Sequence, residues 1–83
     1  MAFEETGHLV LGASGGVGAE LCRRLVAAGG RVLLAGRNAE SNAALGSTLG
    51  QPTVVLAATD VQAVERAAVT AVESFGRLDG NAN

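Results

Sequence analysis

Short continuous apolar runs alternate along the chain with stretches in which apolar residues recur every three or four positions. The runs at 9–11, 32–35 and 53–57 predict three strands, because a strand covered on both faces of a parallel sheet is apolar throughout. The spacing between them predicts one helix from 16 to 28 and a weaker, alanine-rich helix that Ser41 caps and that runs to Leu49. Strands therefore alternate with helices.

The clearest helical pattern follows the third run. Asp60 is a good N-cap, and the apolar steps continue to Gly76 through Val61, Val64, Ala68, Val72 and Phe75. The remaining residues, 77–83, are too few and too polar to predict another strand. Three strand–helix units with right-handed crossovers predict one domain over 1–83. The fold class is α/β, with parallel strands in one sheet and helices packed on it.

A glycine-rich turn joins the first predicted strand to the first predicted helix. Such a turn lets backbone amides approach a phosphate closely, and the helix N-terminus adds a partial positive charge. This is a candidate nucleotide site, although the strict dinucleotide spacing of glycines is not met and the lysine of a P-loop is missing. The alternative is a purely structural turn. The candidate ligands are Gly12, Ser14, Gly15, Gly16, Val17 and Gly18.

The end of the second predicted strand distinguishes between the two nicotinamide cofactors. NAD-binding domains usually carry an acidic residue there, about 20 residues beyond the glycines. This sequence instead has Arg37 followed by Asn38. The planar, permanently charged guanidinium suits the 2′-phosphate of NADP, so the sequence favours NADP(H), with both residues as candidates for binding it. The alternative is a solvated surface arginine.

The composition limits the classes of partner and the kinds of catalytic or metal site that are expected. The formal net charge of -2 and the lack of a basic run argue against nucleic acid and anionic membranes as partners. The single cysteine leaves no zinc spacing, so no metal is expected, and a reducing cytoplasm is the expected compartment. We interpret His8 as a surface or strand-edge residue and Cys22 as a buried structural thiol. With no tyrosine and no lysine in the sequence, no residue is assigned a catalytic role.

From about residue 8 to residue 82 the sequence resembles the short-chain dehydrogenase/reductase family. Gly12, Gly16 and Gly18 match the family's Thr-Gly-x-x-x-Gly-x-Gly turn, although Leu11 stands in place of the threonine. Arg37 lies where NADP-preferring members carry a basic residue. The resemblance therefore implies NADP(H) as the cofactor and a three-layer, Rossmann-like α/β fold truncated to its first half, with a short parallel sheet in the order 3-2-1 and helices on both faces.

The later part of the resemblance implies a contact with the cofactor and lacks the family's catalytic residues. Asp60 and Val61 match the family's Asp-Val pair after strand three, which implies that they contact the adenine of the cofactor. Residues 75–80 are similar to the family's approach to strand four. The serine, tyrosine and lysine that carry catalysis in the later half of the family have no counterparts. The resemblance thus implies the NADP(H)-binding half alone.

Two functions are consistent with these features. The first is a minimal NADPH-dependent oxidoreductase that reduces a carbonyl or quinone-like acceptor by hydride transfer, slowly and without a protein acid. The alternative is a non-catalytic NADP(H)-binding module or a truncated remnant of the family. A homodimer or larger oligomer is expected, because strand one is predicted to be an open sheet edge and helix three alone covers one face.

Overall fold

The chain folds as an α/β sandwich around one open parallel sheet. The computed structural model describes residues 6–13, 15–76 and 80–82, the last of these by their backbone. The strands are β1 (Gly7–Leu11), β2 (Arg31–Gly36), β3 (Thr53–Val55) and β4 (Gly80–Ala82), in the spatial order β3-β2-β1-β4. The helices are α1 (Gly16–Ala27), α2 (Ala39–Leu49) and α3 (Val61–Phe75). The predicted fold class and the order of the first three strands are confirmed.

The prediction that the tail forms no strand is wrong. Gly80–Ala82 pairs in parallel with β1, in the register His8 to Gly80, Leu9 to Asn81 and Val10 to Ala82. Apolar periodicity could not reveal this strand, because its pairing uses backbone groups that every residue carries. As a result β1 lies inside the sheet, between β2 and β4, and the premise that its edge is open is also wrong.

The helices cover both faces of the sheet, as predicted. Alternate residues of β1 and β2 point to opposite faces, so each face collects its own apolar core. The core under α1 and α2 contains Val10, Ala13, Ala19, Cys22, Leu25, Val32, Leu34 and Leu45. The core under α3 contains Leu9, Leu11, Leu33, Ala35, Leu56, Ala67 and Ala71.

Local side chains determine where the helices begin. Asp60 caps α3 as predicted, because its carboxylate accepts a hydrogen bond from the backbone N–H of Ala63 at 3.1 Å. The cap of α2 is Asn38, whose side-chain oxygen accepts from the N–H of Ser41 at 2.9 Å. The prediction that Ser41 is the cap is therefore wrong by three residues. The two capping residue types lie close together in the sequence, and propensity alone does not rank them.

The packed face of α3 differs in part from the predicted stripe. Ala67 and Ala71 are its buried residues, while Val61 is 66% exposed and Val72 is 44% exposed. Small alanine side chains let the helix axis approach the sheet closely, which leaves flanking valines on the outer side. The third predicted strand was also too long, since β3 ends at Val55.

Candidate functional site

The turn between β1 and α1 is held against β2 by backbone hydrogen bonds. The N–H groups of Gly12 and Ala13 donate to the carbonyl oxygen of Ala35 at 2.7 and 3.2 Å, and Gly15 donates to Gly12 at 3.0 Å. Gly12 reaches this geometry with a φ of 71°, in the left-handed region that favours glycine. Because these three amides are already used, they are not available to a phosphate.

The amides that remain are those of the first turn of α1. The N-cap of this helix is Gly15, which has no side chain to accept a hydrogen bond from the first turn. The N-cap side chains of α2 and α3 both accept such a bond. The first N–H groups of a helix have no partner within the helix, so those of Gly16, Val17 and Gly18 point outward as a set of donors. This is the arrangement that an anionic group at a helix N-terminus requires.

The glycines of the turn have different roles. A Cβ on Gly18 would collide with the carbonyl oxygen of Gly12 and would lie 3.2 Å from the Cα of Ala13. Gly18 is therefore needed for close packing of α1 on the end of β1. A Cβ on Gly16 would meet nothing within 4 Å, so open space lies in front of this residue. The structural interpretation of the turn therefore applies to Gly18, and the binding interpretation applies to Gly16.

A cavity of about 210 Å³ lies at the carboxyl ends of β1 and β2. It brings the glycine turn together with the arginine that the sequence singled out. Arg37 is exposed and makes no ion pair with the described residues. The cavity is lined by Gly12, Gly36, Arg37, Asn38, Leu56 and Ala58. In open α/β sheets, ligands bind outside the carboxyl ends of the strands, and this cavity has that position.

Of the remaining predicted ligands that the structure describes, one lines this cavity and two follow a lining residue in the sequence. Asn38 lines it, although its side-chain oxygen already caps α2. Asp60 and Val61 begin α3 just beyond the lining residue Ala58, and neither lines the cavity itself. Ser14 lies outside the described residues. Sequence reasoning missed Leu56, which fell inside the predicted third strand, and Ala58, whose only signal was its position directly after that strand.

The two other reactive side chains lie away from the cavity. His8 is buried within β1, with its Nε2 2.8 Å from Thr6 Oγ1, so the expectation of a surface or edge position is wrong. Cys22, a residue of α1, is buried as expected. Burial raises the pKa of its thiol to about 11, and the charge of Arg23 lowers this pKa by a smaller amount. Neither side chain lines the cavity.

Two classes of site have no candidate in the described part of the chain. No group of three His, Cys, Asp or Glu side chains there is arranged to hold a metal ion. None of the helices described is both long enough and apolar enough to span a bilayer.

Comparison with known proteins identifies the family. The sequence model for short chain dehydrogenase matches residues 8–83. The chain belongs to the short-chain dehydrogenase family. This family implies a nicotinamide cofactor, either NAD or NADP. The outward amides of α1 and the open space at Gly16 fit the pyrophosphate of such a cofactor.

Solved structures of short-chain dehydrogenases have the same fold. A short-chain dehydrogenase/reductase from Brucella melitensis, described as a glucose/ribitol dehydrogenase, aligns with a TM-score of 0.90 at 26% identity over 95% of this chain. A short-chain type dehydrogenase/reductase from Mycobacterium ulcerans aligns with a TM-score of 0.90 at 28% identity over 95% of this chain. The chain spans 35% and 32% of the lengths of these proteins. A comparison with curated proteins found no match.

Proposed function

We propose that this chain binds NADP(H) in preference to NAD(H), as the cofactor-binding part of an NADPH-dependent oxidoreductase of the short-chain dehydrogenase type. One observation carries the proposal: among the residues that the structure describes, the cavity beside the glycine turn is lined by Arg37 and by no carboxylate. A carboxylate at this place would hold the ribose hydroxyls of NAD and repel a 2′-phosphate, whereas a guanidinium attracts that phosphate.

Each part of the cofactor has a set of residues that suits it. The outward amides of Gly16, Val17 and Gly18 would hold the pyrophosphate at the positive end of α1. The guanidinium of Arg37 would pair with the 2′-phosphate, and the apolar side of the cavity at Leu56 would contact the adenine. The resemblance to the family adds Asp60 and Val61 to the adenine contacts. Their place at the start of α3, next to the lining residue Ala58, is consistent with this assignment.

When bound, NADPH supplies the hydride that reduces an acceptor such as a carbonyl or a quinone. The described residues contribute binding and orientation, because no proton donor among them lines the cavity. The lack of a positioned general acid typically slows such a reaction by about 10²–10⁴-fold. We therefore expect slow turnover with little selectivity among acceptors. The same lack of a proton donor among the described residues at the cavity favours the second candidate, a binding module without turnover.

Titration with each cofactor tests the proposal. We expect NADPH to bind at least about tenfold more tightly than NADH, because a charge-assisted pair with Arg37 forms only with the 2′-phosphate. The Arg37→Ala variant should lose most of this preference. Arg66→Ala removes an equally exposed arginine on the outer side of α3 and should keep it. Equal affinities of the unchanged chain for both cofactors would overturn the proposal.

A consumption assay separates the oxidoreductase from the binding module. The chain is mixed with NADPH and a panel of aldehydes, ketones and quinones, and the loss of NADPH absorbance is followed. Turnover that Arg37→Ala weakens at low NADPH supports the oxidoreductase. Tight binding of NADPH without consumption, with every acceptor of the panel, supports the module.

A further inference from the structure

Asn42 is a polar side chain with no exposed surface in the middle of an otherwise apolar core region. It lies in the first part of α2 and is 0% exposed, beside the ends of β2 and β3. A buried amide is unfavourable unless its donors and acceptors are paired, so its contacts indicate what it does.

The side-chain amide of Asn42 joins the ends of two strands. Its Nδ2 donates to the carbonyl oxygen of Gly36, the last residue of β2, and to that of Val54 in β3, both at 3.2 Å. The carbonyl of Gly36 also accepts from the N–H of Leu56 at 2.9 Å. This oxygen is therefore held from two sides at the point where the chain leaves the sheet.

The acceptor of the same side chain is not paired. Asn42 Oδ1 is buried and has no hydrogen-bond partner. It faces the Cα of Gly36, since a Cβ built there would lie 2.7 Å from Oδ1 and 3.2 Å from Nδ2. Gly36 is thus the residue that lets the amide approach. An apolar side chain of similar size would remove the unpaired acceptor, but it would also take the donor away from the carbonyl oxygens of Gly36 and Val54, so these two contacts account for an amide at this position.

The carbonyl that Asn42 holds belongs to the peptide unit that contains the N–H of Arg37. Because a peptide unit is planar and rigid, fixing the oxygen of Gly36 also fixes the direction in which Arg37 leaves β2. Both Gly36 and Arg37 line the cavity assigned to the cofactor. The contacts of Asn42 therefore set the position of the arginine backbone at the cavity.

We propose that Asn42 is a positioning residue, which acts through Gly36 to aim Arg37 at the 2′-phosphate of NADP(H). The inference rests on the proposed function. It assigns the preference for NADP(H) to two residues. Arg37 supplies the charge, and Asn42, which packs against Gly36, holds the backbone at Arg37 in position. Asn42 itself does not contact the cofactor.

The first test replaces the amide by an apolar group of similar size. Asn42→Leu should lower the ratio of NADPH to NADH affinity about tenfold, because the guanidinium is no longer held in place. It should add little to Arg37→Ala in the double variant, since both act on the same contact. Leu45→Ala removes a buried apolar side chain of α2 that belongs to the core cluster with Val32 and Leu34, and it should lower the melting temperature without changing the ratio.

The second test uses the close approach of the Asn42 amide to Gly36. Gly36→Ala introduces a Cβ that meets the Asn42 amide, so it should lower the affinity ratio and the melting temperature. Combining it with Asn42→Ala removes the collision and should restore part of the melting temperature but not the affinity ratio. This variant pair keeps the proposal testable if Asn42→Leu does not fold.

A readout without cofactor separates this inference from the proposed function. In the free protein, the backbone amide resonance of Arg37 should shift in Asn42→Leu and stay in place in Leu45→Ala. An unchanged Arg37 resonance and an unchanged affinity ratio in Asn42→Leu would overturn the inference. A wild-type chain that binds both cofactors equally would overturn the proposed function, and the Arg37 resonance would still decide whether Asn42 positions this residue.

Discussion

The guanidinium carbon of Arg31 lies 4.8 Å from the centroid of the Phe75 ring. Arg31 is the first residue of β2 and Phe75 is the last residue of α3, so this cation–π contact ties the end of the helix to the amino end of the sheet. The cavity proposed for the cofactor lies at the opposite, carboxyl end. The contact therefore contributes to stability at a distance from the candidate site.

A double-mutant cycle with Arg31→Met and Phe75→Leu measures this contact. Both substitutions introduce an apolar side chain of similar length and remove the charge or the ring. We expect a coupling energy of about 0.5 kcal/mol in the free energy of unfolding, which is typical of an exposed cation–π pair. The affinity for NADPH should stay at the wild-type value in all three variants. Additive effects of the two substitutions would show that the pair contributes nothing.

Gly16 and Gly18 should respond differently to the same substitution. Gly18→Val forces a side chain against the Gly12 carbonyl and should unfold or strongly destabilise the protein. Gly16→Val points into open space and should leave the melting temperature within a few degrees of wild type while weakening NADPH binding, because the side chain takes the place of the pyrophosphate. Thermal melts and cofactor titrations check both. Normal NADPH binding by a folded Gly16→Val variant would leave the turn with a structural role alone.

Cys22 should make the stability fall in alkaline solution. Burial raises the pKa of its thiol from 9.0 to about 11. Between these values the unfolded chain loses the proton and the folded chain keeps it, so the free energy of unfolding decreases as the pH rises. The sequence has no tyrosine and no lysine, which are the other side chains whose ordinary pKa lies in or near this window.

Denaturant unfolding at several pH values between about 8 and 11 measures this effect, and Cys22→Ala should remove the slope. In the native protein the thiol should also react slowly with disulfide reagents at about pH 8, and readily after unfolding. A stability that is equally pH-dependent in Cys22→Ala would assign the effect to another group.

The homodimer remains a prediction, and its expected interface moves to the outer side of α3. Val10 is 1% exposed, so a charge placed there would test folding instead of association. On α3, Val69 is 57% exposed and lines a groove with Arg66, Thr70 and Glu73. Arg66 and Glu73 lie about two turns apart on either side of Val69. An antiparallel copy of the helix would therefore place Arg66 opposite Glu73 of the other copy.

Light scattering at micromolar concentration measures the association state. We expect a dimer for the wild type and a monomer for Val69→Glu, since the added charges would meet across the two-fold axis. Ala43→Glu adds the same charge to the exposed side of α2 and should leave the mass unchanged. A monomeric wild type would end the prediction.

Local signals were enough to predict most of the fold. Asp60 with the periodic residues after it gave α3 its correct start and end, because a capping side chain and a glycine with positive φ act within one turn of the chain. The apolar runs predicted the first three strands, and the family topology that the resemblance implies gave them their correct order. The strand β4 was missed because its pairing depends on the backbone of β1.

The candidate site was predicted only in outline. The glycine spacing and Arg37 located the turn and the end of β2, and the structure places both at one cavity. The separate roles of Gly16 and Gly18 could not be read from spacing, because they depend on which carbonyl lies in front of each Cα. Asn42 was not singled out at all. Its role depends on two carbonyl groups in other elements, which no periodic pattern encodes.

The position of β1 between β2 and β4 sets an order for folding. Its pairing with β2 closes a loop of one helix and has five residue pairs, whereas its pairing with β4 has three pairs and closes a loop about three times as long. The longer loop costs about 1 kcal/mol more in closure entropy, with less pairing to offset it. We therefore expect the β1–β2 unit, which already contains the glycine turn, to form first, and β4 to be the strand that joins last and opens first.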